Sequence, residues 1–169
     1  MSQTFYCFDP IISSNTEILI LGTSPGVNSH ENKEYYNHED NIFWDFIFRI
    51  FDEEWGKFQY VDDTITYEMK RNILLKNNIG LWDVLKYCER VGSSDNKITK
   101  YEINDFCNFF RNHTNIKKII FNGNQAARYL KDVIIPESIN VKTLLSTSPG
   151  NRANPFWNLE QWYKELTSM

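Results

Sequence analysis

The stretch "EILILGTSPGVNS", residues 17–29, decides how this chain is read. Ile18, Leu19, Ile20 and Leu21 make an unbroken apolar run, the pattern of a strand covered on both faces. The run stops at Gly22, and Pro25 and Gly26 follow, so an ordinary helix is not expected to start at once. A sharp bend at the end of a buried strand lies where open α/β sheets bind their ligands.

Three more apolar segments read as buried strands: "IGLWDVL" (79–85), "KKIIFNG" (117–123) and "VKTLLS" (141–146). Helical spacing appears in "NIFWDFIFRIF" (41–51), "YEMKRNILLKNN" (67–78), "YEINDFCNFFRNH" (101–113), "NQAARYLKDV" (124–133) and "FWNLEQWYKEL" (156–166). Strands alternating with helices imply parallel βαβ units. The expected fold is α/β, a three-layer αβα sandwich around a central, mainly parallel four-stranded sheet, in one domain over residues 1–169. In such a sheet the loops leaving the strand ends share one rim. Here they are "GTSPGVNS" (22–29), "VLKYCERVGSSDN" (84–96), "NGNQ" (122–125) and "STSPGNRAN" (146–154), all rich in small polar residues.

Composition narrows the function classes. At 169 residues, 41% hydrophobic and 15% aromatic, the chain suits a dense core or a pocket that stacks flat rings, and argues against disorder. No stretch has the length of a transmembrane helix, and the polar start "MSQTFYCFDP" does not resemble a signal peptide. Cys7, Cys88 and Cys107 are far apart and odd in number, which argues against a disulfide framework and for a cytoplasmic location. His30, His38 and His113 show no metal-ligand spacing, so no metal and no cofactor are expected, and a monomer is the expected state. The net charge of −4 counts against a broad nucleic-acid footprint. Lys97, Lys100, Lys117, Lys118 and Arg152 are scattered through an acidic chain.

Each motif has a structural and a chemical reading. "GTSPG" is a strand-exit turn or a close-approach loop, and it matches neither a phosphate loop nor a nucleophile elbow. In "YYNHEDNIFW" (35–44), Asn41 is a helix N-cap or a functional amide, and Phe43 and Trp44 read as core. Asp83 and Asp95 are acid/base candidates, although an acidic residue beside a loop is more often a cap or a solvated charge. "STSPGNRAN" carries one cation, Arg152, near its tip.

Taken together and in order, these motifs resemble the uracil-DNA glycosylase superfamily. "GTSPG" is similar to the G-x-x-P-G motif that ends the first strand there. "YYNHEDNIFW" resembles the aromatic and His-Pro-x-Asn-x-Phe-Trp pattern of the mismatch-specific branch, with Glu39 where proline is common. "IGLWDVL" with "RVGSSD", "IIFNGNQA" and "LLSTSPGNRAN" look like the later strand motifs. "ILGTSPG", "YY" before "NIFW", "GLWDVL" and "STSPGN" are most similar to the hypoxanthine-DNA (deoxyinosine) glycosylase branch. Many superfamily members place Asn or Asp where this chain has Ser24, and the branch associates the functional amide with the position of Asn41.

The resemblance implies excision of a deaminated base, deoxyinosine first, from DNA by a base-excision repair glycosylase. A uracil or mismatched-thymine glycosylase is the alternative, and a catalytically weak nucleobase- or DNA-binding module and a small-nucleoside hydrolase stay open. Base flipping then assigns parts. Asn41 would hold the attacking water, with Ser24 as the second catalytic candidate. Tyr36 would stack on the base, while Gly22, Thr23 and Asn122 would bind it. Ser146, Ser148 and Gly150 would contact the DNA backbone, and Asn151 or Arg152 would fill the gap left by the flipped base. Hypoxanthine or uracil can leave as a resonance-stabilised anion, so no strong general acid is obligatory.

Overall fold

The computed structural model describes residues 1–55, 60–148 and 155–169. Strands β1 (Gln3–Tyr6) and β2 (Ile18–Gly22) come first, followed by helices α1 (Val27–Asn32), α2 (Phe43–Phe51) and α3 (Tyr67–Lys76). The middle of the chain holds β3 (Ile79–Asp83), β4 (Leu85–Arg90), a 3-10 turn (Asp95–Lys97), β5 (Lys100–Ile103) and α4 (Phe106–Asn112). Then come β6 (Lys118–Asn122), α5 (Asn124–Tyr129), β7 (Asn140–Leu144) and α6 (Pro155–Thr167).

Four strands form a parallel sheet in the order β3-β2-β6-β7. In register, Ile20 lies beside Leu81 on one side and Ile120 on the other. The strand period of two explains the layers. Ile18, Ile20, Leu81 and Ile120 pack with Phe43, Phe46 and Ile47 of α2, Leu74 of α3 and Trp162 of α6. Leu19, Leu21, Ile119 and Phe121 pack on the other face with Phe106, Phe109 and Phe110 of α4 and Ala126 of α5. The expected αβα sandwich around a parallel four-stranded sheet is present. Among the described residues, no helix is long and apolar enough to cross a membrane.

The structure differs from the sequence reading in five places. A second sheet, antiparallel and ordered β1-β4-β5, lies beside the first. Residues 84–96, expected as one irregular loop, begin with β4, which continues β3 past the single residue Val84. Phe5 pairs with Cys88 in this sheet and both are fully buried, so long-range pairing supplies what local pattern lacked. In 101–113, expected to be helical throughout, Lys100–Ile103 is strand and the helix starts only at Phe106, where the Asp105 side chain accepts from the Asn108 N–H at 3.0 Å. Helix α1 begins directly after Gly26, because Pro25 and Gly26 lie ahead of its first turn, where neither breaks a helical bond. Finally, β7 is an edge strand exposed along most of its length, with only Leu144 buried.

Candidate active site

The C-terminal ends of β2, β3 and β6 open onto one cavity of about 290 Å³. Gly22, Thr23, Ser24, Tyr36, Asn41, Asn122, Ser146 and Ser148 all line it. The sequence therefore picked residues from four loops that the fold brings to one rim. Gly150, Asn151 and Arg152 lie outside the described residues.

The aromatic loop is pinned from both ends. The buried Trp44 indole donates to the Tyr35 carbonyl at 2.8 Å, and the Tyr35 hydroxyl donates to the Asp9 carbonyl at 3.1 Å. Ser29 accepts from the Asn37 N–H at 3.0 Å, tying the loop to α1. Between these anchors Tyr36 takes a left-handed φ of 53°, a conformation costly for a bulky residue unless its surroundings impose it. That turn separates the two tyrosines. Tyr35 goes into the core, whereas the Tyr36 ring packs on Phe43 at 4.2 Å between centroids, tilted by 33°, and borders the cavity.

Asn41 carries both readings at once. Its Oδ1 accepts from the Phe43 N–H at 3.0 Å, which steadies the start of α2 and fixes which amide atom is the oxygen. A carbonyl oxygen has a second lone pair, so that bond does not exhaust it.

Asn122 is held in one orientation by Thr147. The Asn122 Oδ1 accepts from the Thr147 N–H at 2.9 Å, and its Nδ2 donates to the Thr147 hydroxyl at 3.0 Å. Thr147 is 1% exposed, and its carbonyl accepts from the Ile42 N–H at 3.3 Å. One threonine thus links the end of β6, the loop after β7 and the residue beside Asn41. At Gly123, with φ of 100°, a Cβ would come within 3.0 Å of the Ser146 Cβ, so this turn requires glycine. The Ser146 hydroxyl accepts from the Ser148 N–H at 3.1 Å, which uses the backbone donor that a phosphate would need and leaves the Ser148 side chain at the rim.

Ser24 lines the cavity, but its hydroxyl contacts the buried Cys88 sulfur at 3.2 Å. Beneath it the buried Arg90 joins two walls. Its Nη2 donates to the Pro25 carbonyl, its Nε to the Gly92 carbonyl at 3.0 Å, and its Nη1 to Asp95 Oδ1 at 3.1 Å. Its guanidinium also sits 4.6 Å from the centre of the Phe5 ring. The Ser93 hydroxyl accepts from the Val27 N–H at 2.9 Å, a second tie between these walls.

Asp83, at the end of β3, is neither cap nor solvated charge. It is 3% exposed, lines the cavity, and its Oδ2 has no hydrogen-bond partner. Burial, reinforced by the neighbouring Asp95 carboxylate and only partly opposed by Arg90, pushes its carboxyl up to about 7. Burial likewise raises Asp95, with Arg90 and the Thr23 hydroxyl opposing. Burial also holds the Tyr36 phenol in its protonated form, and Asp83 adds to that effect.

Three comparisons bear on this geometry. The profile of the Uracil DNA glycosylase superfamily matches residues 10–167, nearly the whole chain. The chain belongs to that superfamily. It is 38% identical over 145 residues to the hypoxanthine DNA glycosylase of Methanosarcina barkeri (strain Fusaro / DSM 804), covering 86% of this chain and 87% of that one. Against the hypoxanthine DNA glycosylase of Methanosarcina acetivorans the identity is 37% over the same shares. A Methanosarcina acetivorans protein solved by solution NMR, provisionally called a uracil DNA glycosylase, superposes with a TM-score of 0.78 at 32% identity, covering 97% of both chains.

Within this superfamily fold, sequence reasoning passed over Thr147 and Arg90 and left Asp83 open. Asp83 had a signal: an ionisable residue inside the apolar run "IGLWDVL" must be buried if the run is a strand. Arg90 had none, because its partners Pro25 and Phe5 are 65 residues or more away in sequence.

Proposed function

We propose that this superfamily member is a DNA glycosylase that hydrolyses the N-glycosidic bond of deoxyinosine flipped out of the duplex, releasing hypoxanthine. The observation that carries the reading is the meeting of Tyr36, Asn41 and Asn122 around one cavity. The two similar hypoxanthine DNA glycosylases support the choice of base.

In this reading the everted purine lies against the Tyr36 ring, whose backing on Phe43 presets its orientation. Such stacking is worth about 1–3 kcal/mol per base. The Asn122 amide, locked by Thr147, offers its second N–H to the base. A donor fixed before the reaction needs no reorganisation as charge develops. The remaining lone pair of Asn41 Oδ1 holds the water that attacks C1′; an amide is no strong base, so its contribution is position. Gly22 and Thr23 leave room for close approach of the base, and the Ser148 hydroxyl contacts the DNA backbone. The protein works as a monomer in the cytoplasm, a reading that the unpaired Cys7, Cys88 and Cys107 support for the compartment.

The test is excision from labelled duplexes carrying inosine, uracil or xanthine, followed by alkali cleavage at abasic sites. Cleavage at inosine is expected. Cleavage at uracil alone would move the protein to the uracil or mismatched-thymine class, and binding without cleavage of any duplex would make it a binding module.

A further inference from the structure

Asp83 closes the cavity floor where β3 runs into β4. At Gly22 a Cβ would fall 2.7 Å from Asp83 Oδ1, so the missing side chain there is what admits the carboxyl to the floor. Its main-chain carbonyl is fixed by the Asn104 Nδ2 at 2.8 Å. Among the described residues, the ionisable side chains coupled to it electrostatically are Cys7 after β1, Tyr35 and Tyr36 of the aromatic loop, Tyr67 of α3, Cys88 and Arg90 of β4, and Asp95 of the 3-10 turn. Arg90 is the cation in that set, and its hydrogen bonds go to Pro25, Gly92 and Asp95. A carboxylate at Asp83 would therefore sit buried next to a second carboxylate, with Oδ2 bare. The neutral acid avoids that charge and carries a proton with no acceptor on the protein.

We propose that Asp83, as the neutral carboxylic acid, is the general acid that protonates the departing purine. This rests on the reading of the chain as a hypoxanthine DNA glycosylase. The carboxyl proton passes to N7 of the base as the C1′–N9 bond breaks; the bonding electrons stay on the base, which departs as neutral hypoxanthine. Water adds to C1′ and gives up a proton to solvent, and solvent returns one to the Asp83 carboxylate. The carboxyl, pushed up to about 7, is in the range where a general acid is effective at neutral pH. Uracil has no imidazole nitrogen, so the same acid separates purine from pyrimidine substrates.

The test is single-turnover excision of hypoxanthine across pH by the wild-type protein and Asp83→Asn, repeated on a duplex carrying 7-deaza-deoxyinosine, which lacks N7. The wild-type rate should be flat below about pH 7 and fall tenfold per pH unit above it. Asp83→Asn should lose about 10²–10⁴-fold, the usual worth of a general acid, and lose the alkaline limb with it. On the 7-deaza duplex the substitution should cost almost nothing, a comparison that a general loss of folding would not produce. An equal cost on both duplexes, or an alkaline limb that survives in Asp83→Asn, would overturn the proposal. No excision of inosine by the wild-type protein at any pH would overturn the assigned function and this role together, whereas wild-type excision with an unaltered Asp83→Asn rate would overturn the role alone.

Discussion

At the position of Gly22, a side chain would meet Asp83 Oδ1 at 2.7 Å and the Tyr36 hydroxyl at 2.8 Å. The glycine that ends the first apolar run is therefore fixed by two polar groups contributed from elsewhere in the chain. Asp83 also has a consequence for stability. An unfolded aspartate titrates near 3.9, roughly, and the folded one is pushed up to about 7. The folded state then binds the proton more tightly, so this group's contribution is full below about pH 4 and is lost as pH rises through about 7. Denaturant unfolding from pH 4 to 8 should show wild-type stability declining across that window and Asp83→Asn declining less. Parallel profiles for the two proteins would show that the buried carboxyl has no raised affinity for a proton.

Elements were legible where one face of the pattern was strong. The run at Ile18 to Leu21 is buried at every position, and the apolar face of α2 fills the core with Phe43, Phe46 and Ile47. The antiparallel sheet was not legible. β1 and β5 are four residues each, mostly exposed, and exist by pairing with β4 across more than 80 residues of sequence in one case. The candidate site followed the same division: residues inside motifs were found, and those that join motifs were not. Thr147 is the clearest example, since its two bonds to Asn122 and one to Ile42 appear only once three segments meet. Thr147→Val keeps the shape and removes the hydroxyl, leaving the Asn122 Nδ2 without that acceptor. The expected cost is about 1–3 kcal/mol in urea unfolding, the penalty for an unsatisfied buried donor. Unchanged stability would show that the link between these loops does not depend on the threonine hydroxyl.

At the scale of the whole molecule, three of the lysines scattered through the acidic chain have local acidic or carbonyl partners. Lys117 pairs with Glu17 at 2.7 Å, Lys100 with Glu89 at 3.5 Å, and the buried Lys118 donates to the Glu165 carbonyl of α6 at 2.9 Å. These pairings temper the positive field of the three lysines, and the candidate site is the cavity at the rim of the parallel sheet. The parallel sheet supplies that cavity by setting the exits of β2, β3 and β6 on one rim, where Tyr36 and Asn41 of the aromatic loop also meet. The most direct measurement is single-turnover hypoxanthine release from an inosine duplex by the wild-type protein and by Asn41→Ala, with duplex affinity measured alongside. A loss of about 10²-fold or more in rate, with affinity held within a few-fold, is the predicted result. Release by Asn41→Ala at the wild-type rate would contradict the account.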